Sequence, residues 1–434
     1  MSHRKLHIGM SLAPTWLSGD GWRRQDSRVE DLLDSDFYVD VARRAEAAHL
    51  DFVFRPDTLF LSAAALENGP GFTSMDPTVL LAALSRETSH IGLLSTVSTS
   101  FFPPYIVARQ IQSLNWLSKG RTGWNIVTAL DGNDNFGIET MPSAEERYAR
   151  AAEFTQIVRH LWQSFPADSI VCDRTGGRYA DSRRVQPIDH RGPFFNVKGP
   201  LTLPGYDRAP LPLIQAGASP AGRDFAASVA DAVFASAPDM QAAIDLRRDL
   251  RARAETHGRS ADDILVLPGL SLYLAQTRRQ AEELFAETHQ RTARVKALAN
   301  LKAMTGLEVT DWPDDRPVTL ADLPPLPSQP RSRTHLDLLL RAIERDTPRL
   351  GELLKRPELI GSAHWQVIGT VDDAFDTITA WSEADAIDGF VTLPGGSVDC
   401  LHRSINELIP RLAQAGHFRK AYGSDTFYGH LKEK

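Results

Sequence analysis

Side chains able to bind and turn over a small molecule gather in four short stretches of this sequence. The first is residues 108–137, ARQIQSLNWLSKGRTGWNIVTALDGNDNFG, with Tyr148 following. It reads as an amphipathic helix, a Ser-Lys-Gly-Arg turn, a strand, and a loop rich in Asn, Asp and Gly. Asn125 and Thr128 fall near the strand's C-terminal end, where parallel barrels place ligand contacts. An Asn amide both donates and accepts, so it can read the edge of a bound ring, with Tyr148 stacked on that ring or capping it. The plainer reading is a buried Asn bonded to neighbouring backbone and a Tyr packed beneath the loop. The second stretch is residues 215–223, QAGASPAGR. A strand ends at Gly217, Ser219 is placed to cap a helix, and Pro220 suits the first helical position. The open amides of that helix start, with the Ser hydroxyl, form an anion site; the alternative is an ordinary capped helix after a tight turn.

The third stretch, FVFRPD, ends in Arg55 and Asp57, which share strand parity and so project the same way. An ion pair between them would satisfy a buried Arg. The competing reading is a bidentate contact from Arg55 to an anionic substrate group. The fourth, residues 95–102, STVSTSFF, offers the hydroxyls of Thr96 and Thr99 and an apolar lining from Phe101 and Phe102. Small hydroxyls in strands are often just cross-strand pairs.

These stretches need a frame that brings strand ends together. Short β-branched runs followed by helical stretches recur, the habit of a parallel sheet covered by helices. The pattern predicts strands at 6–12, 52–57, 90–99, 122–129, 211–217, 232–237, 264–275 and 389–394. Between them, Phe37, Val41, Ala45 and Ala48 lie at helical spacing behind an Asp-Ser-Asp start suited to cap a first turn. Val107, Ile111, Leu114 and Leu117 make a second such stripe. Eight strands with intervening helices favour an α/β fold of the (β/α)8 TIM-barrel type. No GxGxxG follows the first strand, which weighs against an open dinucleotide-binding sheet. Two stretches break the rhythm. Residues of about 166–210 are rich in Gly, Pro and Arg and read as a long loop or hairpin insertion. Residues of about 300–365 include DLPPLPSQPRSRT, where proline forbids one continuous helix or strand. Strands resume after each, so residues 1–434 read as a single barrel domain whose two insertions are natural lids.

Composition removes several function classes. The 434 residues are 42% hydrophobic and 24% charged, suited to a well-cored globular protein. The formal net charge is −7 and no Lys/Arg-rich block is present, which gives no footprint for nucleic acid. Cys172 and Cys400 lie far apart without metal-ligand spacing and read as free thiols of a reducing compartment, with no metal site expected. The first residues, MSHRKLHIGMSL, are too short an apolar run for a signal core or a span, so a soluble cytoplasmic protein without membrane attachment is expected. His257, before Gly258, reads as a cation at a helix C-terminus. His364 reads as a surface or capping residue.

Five segments, taken in order, resemble one family. They are the 108–137 stretch, DFYVDVARRAEAAHLDFVFRPD, LLSTVSTSFFPPYIVARQ, QAGASPAGRDFAASVADAVFAS, and the tail DGFVTLP…ELIPRLAQAGHFR. Together they resemble the bacterial-luciferase superfamily, in the branch of flavin-dependent monooxygenases that includes nitrilotriacetate, dibenzothiophene-sulfone and long-chain alkane monooxygenases. The likeness spans nearly the whole chain. It implies a luciferase-like TIM barrel with insertions and a two-component enzyme. A separate NAD(P)H:flavin reductase would supply reduced FMN. That FMN, with O2 as co-substrate, would oxygenate a small organic substrate through a flavin C4a-(hydro)peroxide. The resemblance further implies that Gly217, Ala218 and Ser219, with Gly222 and Arg223, hold the FMN phosphate. Asp57, Thr96, Asn125, Thr128 and Tyr148 would surround the flavin; Arg55, Phe101 and Trp22 would face the substrate. A homodimer or homotetramer is expected.

The chain departs from the family pattern at instructive places. Where relatives carry a Leu-Ala-Asp run, it has Arg55 and Pro56 before Asp57. Some relatives have a His before an Ala-Trp-Arg run in the first loop; here the sequence is SGDGWRR, with Trp22 and Arg23 kept. Ala129 stands where another His would follow the Asn-Val-Val-Thr strand. No general base is therefore assigned. Two other readings stay open: a deazaflavin-dependent enzyme moving hydride without oxygen, and a non-catalytic flavin-binding barrel.

Overall fold

The parallel strands close on themselves in the computed structural model, which describes residues 4–217, 219–289, 293–327 and 333–433. In chain order the strands are β1 (His7–Ser11), β2 (Phe52–Arg55), β3 (Gly92–Ser98), β4 (Thr122–Val127), β5 (Ile170–Asp173), β6 (Arg178–Ala180), β7 (His190–Arg191), β8 (Asn196–Val197), β9 (Leu213–Gln215), β10 (Ala232–Ala235), β11 (Leu265–Leu274), β12 (Trp365–Gly369) and β13 (Gly389–Pro394). Hydrogen bonds run around the ring β1, β2, β3, β4, β9, β10, β11 and β13, then back to β1, all parallel. This is the eight-stranded barrel that the β-branched runs predict, and every expected strand is present.

A ninth strand of the sheet, β12, was not expected. The ten-residue β11 holds β10 along residues 265–268 and β12 along residues 270–274. β12 therefore sits above β10 on one edge, raising the barrel wall on that side. It is also where the second insertion rejoins the barrel. The helices Ala293–Thr305, Arg333–Asp346, Leu350–Leu353 and Pro357–Ile360 enclose an apolar cluster of their own, around Leu301, Val318, Leu339, Ile343 and Leu353. The first insertion carries two antiparallel hairpins, β5 with β6 and β7 with β8.

Local signals explain the helices. In Ser35–Ala47 the Asp34 side chain accepts from the Asp36 amide, and Phe37, Val41 and Ala45 are buried as the spacing predicts. In Pro104–Leu117 the stripe holds for Val107, Ile111 and Leu114, but Leu117 is 54% exposed. The helix ends there and the chain turns through Ser118 towards β4, so the fourth position of the stripe faces solvent. Among the described residues, no helix is long and apolar enough to cross a membrane.

The two ends of the barrel are built differently. The N-terminal end is plugged by helix Phe427–Lys432, whose Phe427 and Leu431 join Phe52, Leu94, Ile214 and Val391 in the interior cluster. Gly92 and Gly123 leave room for that ring: a Cβ at either position would lie 2.7 or 2.5 Å from Phe427. Buried carboxylates brace the same end. Asp51 receives the Ile8 amide at 2.7 Å, lies 3.1 Å from His7 Nδ1, and pairs with Arg419. Asp388 pairs with Arg247 at 3.0 Å and Arg251 at 3.1 Å and receives the Val266 amide. Burial opposes ionisation of both. Arg419 and His7 nevertheless hold Asp51, and Arg247 and Arg251 hold Asp388, below the usual carboxylate range.

Candidate active site

At the C-terminal end the strand ends surround a cleft in two connected halves. The outer half, about 520 Å³, lies between the loop after β1, the end of β2 at Arg55 and Asp57, and residues 68–74. The inner half, about 490 Å³, sits over the barrel axis against Phe54, Phe234, Tyr273, His364 and Leu393. Ala13, Thr15, Pro56, Phe72 and Lys296 line both halves. Thr15 donates its hydroxyl to the Pro394 carbonyl at 2.5 Å, fastening the loop after β1 to the end of β13.

Arg55, at the end of β2, is only 3% exposed. Its Nη1 donates to the Leu12 carbonyl at 2.7 Å, its guanidinium lies 5.6 Å from the Tyr38 ring, and its Nε has no partner. Asp57 lines the same cavity, as shared parity predicts, but no Arg55 nitrogen lies within ion-pairing distance of a carboxylate among the described residues. The expected ion pair is thus absent. Burial, then Asp76, pushes the Asp57 carboxyl up towards its neutral form.

One strand further round, Thr96 donates to the Arg55 carbonyl at 2.7 Å and accepts from Asn125 Nδ2 at 3.0 Å. This chain of bonds crosses β2, β3 and β4 and fixes the Asn125 amide. It leaves Asn125 Oδ1 buried and without a partner, an acceptor oriented for a donor the protein does not provide. Thr99 donates to the Val127 carbonyl at 3.2 Å, the cross-strand reading of these hydroxyls. Thr128 lies half-buried just past β4.

The helix start after β9 is a second built feature. Ser219 caps helix Pro220–Val229 by accepting the Gly222 amide at 3.1 Å, with Pro220 in the first turn, as the sequence predicts. The Gly217 amide goes to Gln215 Oε1 at 2.6 Å. Tyr148, on helix Ala144–Gln163, packs against Phe225 and brings its hydroxyl over this turn. A Cβ on Gly217 or Gly222 would lie 2.6 Å from that hydroxyl oxygen, so only glycine admits it. Arg223 pairs with Asp249 at 3.1 Å. Ala218 lies outside the described residues.

Two expected substrate contacts stand apart from Arg55. Phe101 is stacked on Phe136, with centroids 4.5 Å apart, and lines a different cavity with Arg150 and Phe195. Trp22 donates to the Asn68 carbonyl at 2.9 Å and supports the 68–71 turn from behind. His257 is the helix C-cap expected, paired with Asp224 at 3.2 Å. His364 is corrected: it is no surface residue, but lies in the inner cleft beside Phe234, with Nδ1 buried and unpartnered. Burial, with a smaller push from His335, lowers its pKa to about 4, so it is neutral at pH 7. Sequence reasoning also missed Tyr273 and His289, 3.5 Å apart in the same half, and Lys296. No local signal marks them, because each reaches the cleft only through tertiary packing.

Known proteins are similar to this chain in sequence and fold. The sequence profile described as luciferase-like monooxygenase matches residues 21–382. A dibenzothiophene-sulfone monooxygenase of Rhodococcus erythropolis (strain XP) is 31% identical, covering 99% of this chain and 96% of its own. Nitrilotriacetate monooxygenase component A of Aminobacter aminovorans is 29% identical, covering 99% and 97%. Among solved structures, a riboflavin lyase with modified FMN and riboflavin superposes with a TM-score of 0.82 at 28% identity, covering 98% of this chain and 95% of that one. The expected fold, family and oxidoreductase class are all met, and the chain belongs to the luciferase-like monooxygenase family.

Proposed function

We propose that this chain is the oxygenating component of a two-component system. It would take reduced FMN from a separate NAD(P)H:flavin reductase and use dioxygen to oxygenate a small organic substrate. The observation that carries the flavin reading is the turn after β9, where a capped helix start lies beneath the Tyr148 hydroxyl and both neighbouring positions lack a Cβ. Such a turn is chemically suited to a phosphate, offered by the Ser219 and Tyr148 hydroxyls and the open amide of Ala221 at the positive end of the helix. Asn125 Oδ1 is suited to a ring N–H. The name of the relative called component A supports a partner protein, and the solved neighbour with modified FMN supports the cofactor.

When bound and reduced, FMN supplies the two electrons with which dioxygen gives one oxygen atom to substrate and the other to water. The chain's own contribution is positioning and exclusion. Thr96 orients Asn125; Phe54, Phe234 and Leu393 give the inner half an apolar surface that disfavours water, beside Ser271, His289 and Gln366. His364, neutral at working pH, lines the inner half with Nδ1 buried beside Gly269. The test is a flavin-fluorescence titration followed by turnover under 18O2 with a reductase. FMN should bind saturably, and Tyr148→Phe should weaken it about tenfold. Product should carry one labelled oxygen. Absent FMN binding, or oxygen drawn from water, would overturn the reading.

A further inference from the structure

We propose that the substrate is a small organic di- or tricarboxylate, held between Arg55 of the barrel wall and Lys296 of the helical insertion. The proposal rests on reading the cleft as the substrate half of this monooxygenase. Its first support is a contrast between two buried arginines. Arg55 and Arg121 are each 3% exposed. Arg121 is structurally complete: Nε donates to the Ser118 carbonyl, Nη1 to Thr88 Oγ1 and the Ile91 carbonyl, and Nη2 to the carbonyls of Ser85 and Thr88. Arg55 is not. It has the Leu12 carbonyl and an aromatic face, with Nε orphaned and the guanidinium bordering a cavity. A guanidinium withdrawn from water with no carboxylate at ion-pairing distance is costly, and its planar fork matches a carboxylate.

The second support is Lys296, on helix Ala293–Thr305, which lines both halves of the cleft. Among the described residues no carboxylate lies within ion-pairing distance of its ammonium. Two cations from different elements thus border one cavity of small-molecule size. Asp57 shares the cavity; burial and Asp76 push its carboxyl up, while the Thr58 amide and Arg55 pull it down. Thr58, Asn68, Thr73 and Ser74 add hydrogen-bonding groups to the outer half, where Arg55 stands, and Lys296 reaches it from the insertion.

Isothermal titration of the full chain with FMN present tests this, using succinate, tricarballylate and their methyl esters as probes. The acids should bind, and the esters at least about tenfold more weakly, the loss expected for charge-assisted bonds. Lys296→Met and Arg55→Met should each weaken the acids by a similar factor, Arg55→Lys less, with FMN affinity unchanged. Should Arg55→Met fail to fold, Lys296→Met, at an exposed position, decides alone. Equal binding of acids and esters, no saturable binding of either acid, or unchanged affinity in Lys296→Met overturns the proposal. Carboxylate binding without FMN binding would instead overturn the flavin reading and leave this one standing.

Discussion

The two ends of the barrel differ in how far their buried charges are paired. At the N-terminal end Asp51 and Asp388 are each ringed by cations and a backbone amide, and a helix seals the opening. At the C-terminal end Arg55 Nε, Asn125 Oδ1 and His364 Nδ1 are equally withdrawn from water, yet unanswered. Burial without a partner costs free energy wherever it occurs. Arg251 Nε and Arg419 Nη1 at the closed end are also buried without a hydrogen-bond partner, but both side chains hold a carboxylate through another nitrogen. At the open end Arg55 has no such carboxylate and borders a cavity.

Removing Asp388 should break the closed end most severely. Asp388→Ala strands Arg247 and Arg251 and should lower unfolding free energy by about 3–5 kcal/mol in a denaturant titration. Because Asp51 and Asp388 are held low when folded, their stabilisation is present above the unfolded pKa of about 3.9 and lost as pH falls through the folded values. Acid unfolding of the wild type should therefore steepen below about pH 4, and less so in Asp388→Asn. The two arginines sharpen the contrast next. Arg121→Met should cost about 2–4 kcal/mol, by leaving several buried carbonyls unanswered, while Arg55→Met should cost under about 1 kcal/mol. Equal losses would erase the distinction between the ends.

His364 gives a pH-dependent version. Its folded pKa of about 4 lies below the unfolded value of about 6.5, so it costs nothing above that pH and progressively more as pH falls towards 4. At pH 5 the deficit is roughly 2 kcal/mol relative to pH 8, and His364→Gln should remove it. A variant with the wild-type acid slope would show that His364 is not buried neutral. Far from either end, His257→Ala should change stability by under about 1 kcal/mol, since its pairing with Asp224 is partly exposed.

Much of the frame was legible because one signal repeats: a β-branched run followed by a helical stripe. The Ser219 cap was legible for the same reason, being local. β12 was not, since Trp365–Gly369 is short, directly follows a proline-broken stretch and alternates buried with half-buried positions. His364 was misread because Gly-Ser-Ala-His resembles a loop, and its ring packs on Phe234 of β10 and beside Gly269 of β11, both far away in sequence. The chain from Asn125 through Thr96 to Arg55 depends on strand register, which pairs Thr96 with Asn125 and Arg55 with Ser95. Lys296, Tyr273 and His289 converge only after the insertion folds.

The long strand β11 has an evolutionary consequence. On one edge residues 265–268 pair with β10 and residues 270–274 with β12, while residues 269–272 pair with β13 on the other. Deleting or exchanging the helical insertion with β12 would leave the ring's hydrogen-bond circuit unbroken. The helices that carry Lys296 pack around their own apolar cluster, so that cap can change while the ring stays closed, whereas Trp365 and Val367 of β12 belong to the main core and tie the cap's last strand to the scaffold.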